Sequence, residues 1–290
     1  MRAGNLIEVR NRTERVTLTR ILVPLDGSTN AESALWPASA LSWFFGAKLR
    51  LLGVASTEED AESLAGSLGR RALDIGATSD VRIAGHVAPA ILQAVTEEAG
   101  TALCMASHGR TGLGTVVLGS VATDVLAHSE EPVILVGPHF DAGRSLTDGP
   151  VLACVDGTPE SESILPLAAS WAVGLGVPLG ISTVAEPLPA PLDDHRYRRH
   201  HGPEIDADVY VDQLVDGWRS KVPKVVGHAI YDPIGPAEGL AAYLKRRRAA
   251  LIVINTRVRT GVARAVLGSE AARILSMSPV PVLMVPRPHG

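Results

Sequence analysis

A glycine-rich segment near the middle of the chain has the composition that a phosphate-binding loop requires. Residues 107–112 read Ser-His-Gly-Arg-Thr-Gly, and Gly119-Ser120 follows at the predicted start of a helix. Glycines let backbone N–H groups approach a phosphate closely, and a helix N-terminus adds about half a positive charge. No lysine lies in the segment, so it does not match the pattern G-x-x-x-x-G-K-[ST]. The residues indicate an anion cradle, but a glycine turn followed by a capping serine has the same composition.

The segment occurs twice in the chain. Gly109–Ser120 and Val258–Ser269 are identical at seven of twelve positions, and a short apolar run follows each copy at the same distance. Upstream, Asp26–Val54 is as long as Asp156–Val184. A repeat of this length indicates a duplicated domain and not a solenoid unit.

Apolar runs of strand length alternate with helical segments in both copies. Strands that are apolar throughout predict a parallel sheet covered on both faces. The fold class is therefore α/β, with two tandem doubly wound sheets of five parallel strands. The predicted strands are Ile21–Leu25, Leu49–Val54, Val81–Ala84, Ala102–Met105, Val133–Val136, Val151–Val155, Leu179–Val184, Val225–Ala229, Leu251–Ile254 and Val282–Val285.

The same pattern predicts the domain boundaries. An N-terminal arm (residues 1–17) precedes the first domain (18–138), and a polar linker (139–149) leads to the second domain (150–288). The second copy carries an insert rich in Pro, His and Arg at 187–207, which we expect to cover the second site because loops at this sheet edge border the ligand crevice. Its histidines match no common zinc spacing, so no metal site is predicted.

Composition narrows the classes of function. The chain has 290 residues, 46% of them hydrophobic, with a net charge of −4, which suits two globular domains and lacks the positive field of a nucleic-acid-binding protein. Cys104 and Cys154 lie in apolar runs, which predicts buried, reduced thiols and a cytoplasmic protein. No apolar run reaches membrane-spanning length, so no membrane partner is expected.

Taken together, these positions resemble the universal stress protein family. The family motif G-x2-G-x9-G-[ST] reads Ala106-x2-Gly109-x9-Gly119-Ser120 here, preceded by Asp26 after strand one and Val54 in strand two. The resemblance covers nearly the whole chain twice and identifies a tandem, UspA-like protein. It implies a Rossmann-like fold similar to the adenine nucleotide alpha hydrolases, with strand order 3-2-1-4-5.

The resemblance also implies an ATP site in the first domain, with or without Mg²⁺. In ATP-binding members the aspartate lies near the ribose, the valine meets the adenine, and the glycine loop holds the phosphates. The site residues carried over are Pro24, Asp26, Val54, Met105, Ala106, Gly109, Arg110, Gly119, Ser120 and Val121.

The second copy departs from the motif. Val258 replaces the second glycine, and Asn255 stands where the first copy has Ala106. A β-branched residue is strongly disfavoured at positive φ and keeps a phosphate at a distance. We therefore predict a weaker second site, formed by Asp156, Val184, Gly268 and Ser269.

The leading interpretation is a regulatory, ATP-binding stress-response protein and not an enzyme. Two alternatives stay open: an interaction scaffold that binds no nucleotide, and a slow ATPase. Each fifth strand would leave an apolar edge open at the end of its sheet, which favours aggregation. We therefore expect Val133–Val136 and Val282–Val285 to pair in antiparallel fashion, giving a pseudo-twofold arrangement within one chain, with a homodimer as a further possibility.

Overall fold

A computed structural model describes residues 13–107, 118–186, 206–256, 258–259 and 266–286 of the chain. The first half alternates strands and helices. Its elements are β1 (Arg20–Pro24), α1 (Thr29–Glu32), α2 (Leu35–Phe45), β2 (Lys48–Ala55), α3 (Glu58–Ile75), β3 (Thr78–Ile83), α4 (Val87–Thr96), β4 (Thr101–Ala106), α5 (Ser120–His128) and β5 (Val133–Val136).

The second half repeats this order. Its elements are β6 (Val151–Cys154), α6 (Pro159–Glu162), α7 (Leu165–Leu175), β7 (Leu179–Ala185), α8 (Ala207–Trp218), β8 (Val225–Tyr231), α9 (Pro236–Arg246), β9 (Leu251–Thr256), β10 (Val258–Arg259), β11 (Val266–Leu267), α10 (Ser269–Met277) and β12 (Val282–Pro286). The residues expected to form the insert lie outside the described part, except Asp206 and Ala207, which begin α8.

The two halves share one ten-stranded sheet with the order β3-β2-β1-β4-β5-β12-β9-β6-β7-β8. The predicted order 3-2-1-4-5 is confirmed in the first half, and the second half mirrors it. The predicted pairing of the fifth strands is also confirmed, because β5 and β12 are antiparallel and Leu135 is the partner of Val282. Two separate five-stranded sheets are thereby joined into one, since each apolar edge satisfies the other's N–H and C=O groups.

The hydrophobic core forms one layer on each face of this sheet, and both layers cross the seam between the halves. Leu135 and Val133 share a layer with Val282 and Met284. On the opposite face, Ile134 and Val136 share a layer with Leu283. Alternate residues of a strand point to opposite faces, so the seam contributes side chains to both layers.

The helical segment after β1 is divided into α1 and α2. Ser28 caps α1 by accepting a hydrogen bond from the Ala31 N–H, and α2 begins only at Leu35. Pro37 lies in the first turn of α2, where its missing N–H costs no intrahelical bond. The helical segment therefore restarts just before Pro37, and α1 is a single short turn.

The N-terminal arm contacts both halves of the chain. Arg15 Nη2 donates to the Phe44 carbonyl oxygen at 2.8 Å, while the Val16 N–H donates to Ser170 O in α7 at 3.4 Å. Thr13 N donates to Lys221 O at 2.9 Å. The described part of the arm therefore straps the first half to the second.

The segment between β5 and β6 is also packed against the domains. Phe140 contacts the Trp36 ring at 5.8 Å between centroids, and Leu146 is buried. The polar composition of the predicted linker did not indicate this packing. The domain boundaries themselves stay a prediction.

Both cysteines are free thiols. Cys104 is fully buried as predicted, whereas Cys154 is only half-buried because it lies at the last position of β6, where the strand runs out of the core. Within the described residues, no helix combines the length and apolar character needed to cross a bilayer.

Candidate functional site

A cavity of about 360 Å³ opens at the carboxyl edge of β1, β2 and β4, next to the N-terminus of α5. This is the edge at which ligands bind in open α/β sheets. Eight of the ten site residues predicted for the first half line it. The lining residues are Pro24, Leu25, Asp26, Ala31, Leu52, Val54, Leu64, Val87, Ile91, Met105, Ala106, Ser107, Gly119, Ser120, Val121 and Ala122.

A tight turn after β1 positions the carboxylate of Asp26. Gly27 adopts φ 79°, a left-handed conformation that favours glycine. The chain then returns so that the Ser28 N–H donates to Asp26 Oδ1 at 3.0 Å. Ser28 also caps α1, which places Ala31 on the cavity wall. The turn thereby fixes both an acidic and a small apolar group at the cavity edge.

The end of β4 and the start of α5 are held together by backbone hydrogen bonds. Ser107 N donates to Val136 O at 2.9 Å, and Gly119 N donates to Ser107 O at 2.8 Å. The two ends of the predicted phosphate loop are thus adjacent. Gly109 and Arg110, the other two predicted site residues of the first half, lie in the stretch 108–117, outside the described residues.

The N-terminus of α5 faces the cavity. Gly119 is the N-cap residue and has no side chain with which to cap the helix. Ser120, Val121 and Ala122 of the first turn line the cavity. First-turn N–H groups have no intrahelical acceptor, and the helix dipole adds partial positive charge. The geometry suits an anionic group placed at this end of the cavity.

Among the apolar wall residues that β2, α3 and α4 contribute to the cavity, only Val54 was predicted. Leu52 and Val54 come from β2, Leu64 from α3, and Val87 and Ile91 from the first turns of α4. Val87 and Ile91 are four residues apart and share a helix face, so the spacing of apolar residues in α4 could have predicted that they lie side by side. The sequence did not show which end of that face borders the crevice.

The described lining of the cavity contains few charged groups. Asp26 is the only acidic group among the described lining residues, and no basic residue accompanies it. The other polar groups are serine hydroxyls and backbone N–H groups. A volume at the lower end of the usual range for ligand pockets fits a small molecule with an apolar portion and an anionic end.

The corresponding edge of the second half contains the same frame with different side chains. Asp156 follows β6, Val184 lies in β7, and Gly268-Ser269 begin α10. Asn255 Nδ2 donates to the Glu160 carbonyl oxygen at 2.6 Å, which ties the end of β9 to α6. The matching position in the first half is Ala106, which leaves that space to the cavity.

Charged groups also surround the N-terminus of α10. Arg273 forms ion pairs with Glu238 of α9 and with Glu270 in the first turn of α10. Glu270 takes the place of the apolar Val121 of the first half. Glu238 Oε2, Glu270 Oε2 and Thr256 Oγ1 are buried without a hydrogen-bond partner in the described part of the chain. Two carboxylates that share the single cation Arg273 leave net negative charge at the start of α10, which disfavours a phosphate there. Sequence reasoning missed this ion-pair group.

Comparisons with known proteins agree with the repeat. The model of the universal stress protein family matches residues 58–137 and 149–286. A universal stress protein of Mycolicibacterium smegmatis is 28% identical over 184 residues, covering 62% of this chain and 59% of that protein. A universal stress protein of Mycobacterium tuberculosis is 25% identical over 186 residues, covering 63% and 57%. These alignments span less than two thirds of either relative's length.

Solved structures show the same fold. A universal stress protein from Archaeoglobus fulgidus superposes with a TM-score of 0.64 at 22% identity, covering 91% of this chain and 97% of that one. A universal stress protein from Pseudomonas aeruginosa has a TM-score of 0.60 at 18% identity, with 93% of each chain covered. With matches in both halves and the expected order of strands, the chain belongs to the universal stress protein family as a tandem member.

Proposed function

We propose that the chain is a regulatory protein that binds one ATP, with or without Mg²⁺, in the cavity of the first half. One observation carries this proposal. The cavity brings Asp26, Val54 and the N-terminus of α5 to one place, although they are far apart in the sequence. These are the groups that the family resemblance assigns to ribose, adenine and phosphate.

The arrangement of the cavity supports an adenine nucleotide. Val54, Val87 and Ile91 offer apolar contacts in the cavity wall. Asp26 offers a carboxylate that can accept hydrogen bonds from ribose hydroxyls. Ser120 and the first-turn N–H groups of α5 can donate to phosphate oxygens, which a helix N-terminus favours. Gly109 and Arg110 would complete the phosphate loop in this proposal.

In the second half we propose weak binding at most. Asn255 is tied to Glu160, and Glu238 and Glu270 place negative charge near the start of α10. A phosphate approaching Gly268 and Ser269 would meet these carboxylates. The proposed stoichiometry is therefore about one nucleotide per chain.

The regulatory role rests on the family and on the composition of the site. The described lining of the first cavity offers no nucleophile paired with a general base, which argues against efficient hydrolysis. Slow ATP hydrolysis is the enzymatic alternative, and a nucleotide-free scaffold is the non-enzymatic one. Two free cysteines suit a cytoplasmic protein. Because β5 and β12 already pair within one chain, a homodimer would need another surface.

The proposal is tested by calorimetric titration with ATP of the native chain and of a variant in which Ala106 is replaced by asparagine, the residue at the matching position of the second half. In Ala106→Asn the larger, polar side chain occupies space at the cavity edge that the nucleotide would otherwise fill. We expect the affinity for ATP to fall about tenfold or more. Gly109→Val, which copies Val258, should have an effect in the same direction.

The matched control is Asn255→Ala, the reverse exchange in the second half. It should leave the main ATP affinity unchanged, and circular dichroism checks that all variants are folded. Equal ATP affinity in the native protein, Ala106→Asn and Gly109→Val would refute the proposed site. Absence of ATP binding by the native protein would favour the scaffold.

A further inference from the structure

A second cavity, of about 440 Å³, lies in the second half between the edge strand β8 and helix α9. Alternate residues of β8 share a face, and His228 and Ile230 lie on the face that α9 covers. Gly239 permits the close approach, because a Cβ atom there would lie 2.8 Å from Val184 Cγ1. Arg246 and Arg247 line the cavity from the end of α9. This cavity is separate from the carboxyl-edge site that contains Asp156 and Ser269.

Ion pairs occupy the equivalent place in the first half. Arg82 on β3 binds Glu97 at 2.5 Å, and Arg50 binds Asp80 at 2.8 Å. Glu98 lies 3.4 Å from the buried Arg20. Hydrogen bonding to Arg82 lowers the pKa of Glu97, so this carboxyl is ionised and paired. Acidic and basic groups therefore alternate and neutralise one another there.

In the second half, arginine and histidine replace the acidic residues of this group. Counted from the helix N-caps His86 and Gly235, Arg246 and Arg247 stand where α4 has Glu97 and Glu98. The strand registers place His228 where β3 has Asp80, since their partners on the neighbouring strands are Ser182 and Leu52. Pro150 stands where the first half has Arg20, so the arginine that pairs with Glu98 in the first half has no counterpart here. The exchange replaces paired carboxylates by two arginines beside an open cavity.

Within the described part of the chain, Arg246 and Arg247 form no ion pair with a neighbouring carboxylate. Burial and the charge of Arg247 both lower the pKa of His228, so the imidazole is neutral at pH 7. Burial raises the pKa of Tyr243, which keeps its hydroxyl protonated and able to donate. Asp232, the one carboxylate among the described lining residues, accepts hydrogen bonds from the Ile234 and Gly235 N–H groups at 2.8 and 3.1 Å.

We infer that this cavity binds a small organic anion, such as an aryl phosphate, with the anionic group at Arg246 and Arg247 and a planar ring beside His228 and Tyr243. Arginine matches phosphate oxygens through paired N–H donors. The rings of His228 and Tyr243 lie 5.2 Å apart between centroids and form an apolar wall next to Ile230. The cavity is larger than a bare phosphate requires, which favours a ligand with a ring.

The test is an NMR titration of the full chain with phenyl phosphate and, separately, with inorganic phosphate, following the amides of His228, Ala229 and Tyr243. Ionic strength is held constant, because salt screens exposed arginines. The double variant Arg246→Gln/Arg247→Gln removes the proposed anion contacts. Lys245→Gln is the matched control, since Lys245 is exposed on the same helix turn and does not line the cavity.

We expect phenyl phosphate to give saturable shifts at these amides and to bind more tightly than inorganic phosphate. The double variant should lose about tenfold or more in affinity, as expected when two charge-assisted contacts are removed. Lys245→Gln should bind as the native chain does. The inference is overturned if the shifts do not saturate, if the double variant binds as well as Lys245→Gln, or if phenyl phosphate binds no better than phosphate.

Discussion

Replacing Leu135 by alanine tests whether the seam between β5 and β12 couples the two halves energetically. Leu135 is fully buried, pairs with Met105 on one side and with Val282 on the other, and belongs to a core layer shared by both halves. Truncating a fully buried leucine to alanine costs about 3 kcal/mol, through lost burial and the cavity left behind. Because this side chain packs against strands from both halves, the loss of stability should appear in both halves.

Amide hydrogen exchange measured by mass spectrometry reads this loss separately in each strand. A reduction of about 3 kcal/mol in the opening free energy accelerates exchange by about 100-fold. We expect this acceleration in β5 and also in β12, which lies more than a hundred residues later in the chain. In the native chain, both strands should exchange slowly.

Leu51→Ala is the matched control, because Leu51 is equally buried but lies in β2, away from the seam. It should accelerate exchange in β2 and its neighbours and affect β12 much less. If Leu135→Ala accelerates exchange in β5 and leaves β12 unchanged, the seam does not couple the halves and the reasoning is refuted.

Two further predictions concern the N-terminal arm and the cysteines. Deleting residues 1–17 should lower the free energy of unfolding by about 2–4 kcal/mol in urea denaturation, because the contacts of Thr13, Arg15 and Val16 with both halves are lost. Deletion of residues 1–12 alone is the control. Equal stability of the two deletion variants would show that these contacts do not hold the halves together. Burial raises the pKa of Cys104 from 9.0 to about 12 and that of Cys154 to about 11, so between pH 9 and 11 the unfolded chain binds fewer protons and stability should fall as pH rises. At pH 8 iodoacetamide should therefore label the fully buried Cys104 only after unfolding, and rapid labelling of Cys104 in the folded chain would show that it is accessible.

The sequence predicted the features that depend on local pattern and on the repeat. Continuous apolar runs predicted the strands, and the open edges of Val133–Val136 and Val282–Val285 predicted how the halves join. Strand ends were misjudged by one to three residues, as at Thr78 and Tyr231. Polar residues are compatible with an edge strand, so periodicity gives no sharp limit there.

Features that depend on long-range contacts could not be predicted in this way. The apolar wall residues Leu64, Val87 and Ile91 come from two helices, α3 and α4, and only the fold brings them to one cavity. The same holds for Arg273, which meets Glu238 across two helices, and for the packing of Phe140 on Trp36. Each of these residues has an unremarkable local context, and its role depends on helix orientation.

A crystal structure of the chain grown with excess ATP tests the central proposal most directly. We predict one nucleotide per chain, with its adenine among Val54, Val87 and Ile91 and its phosphates at the start of α5, beside Gly119 and Ser120. Density for a nucleotide beside Asp156 and Gly268, or a first cavity without ATP at saturating concentration, would contradict it.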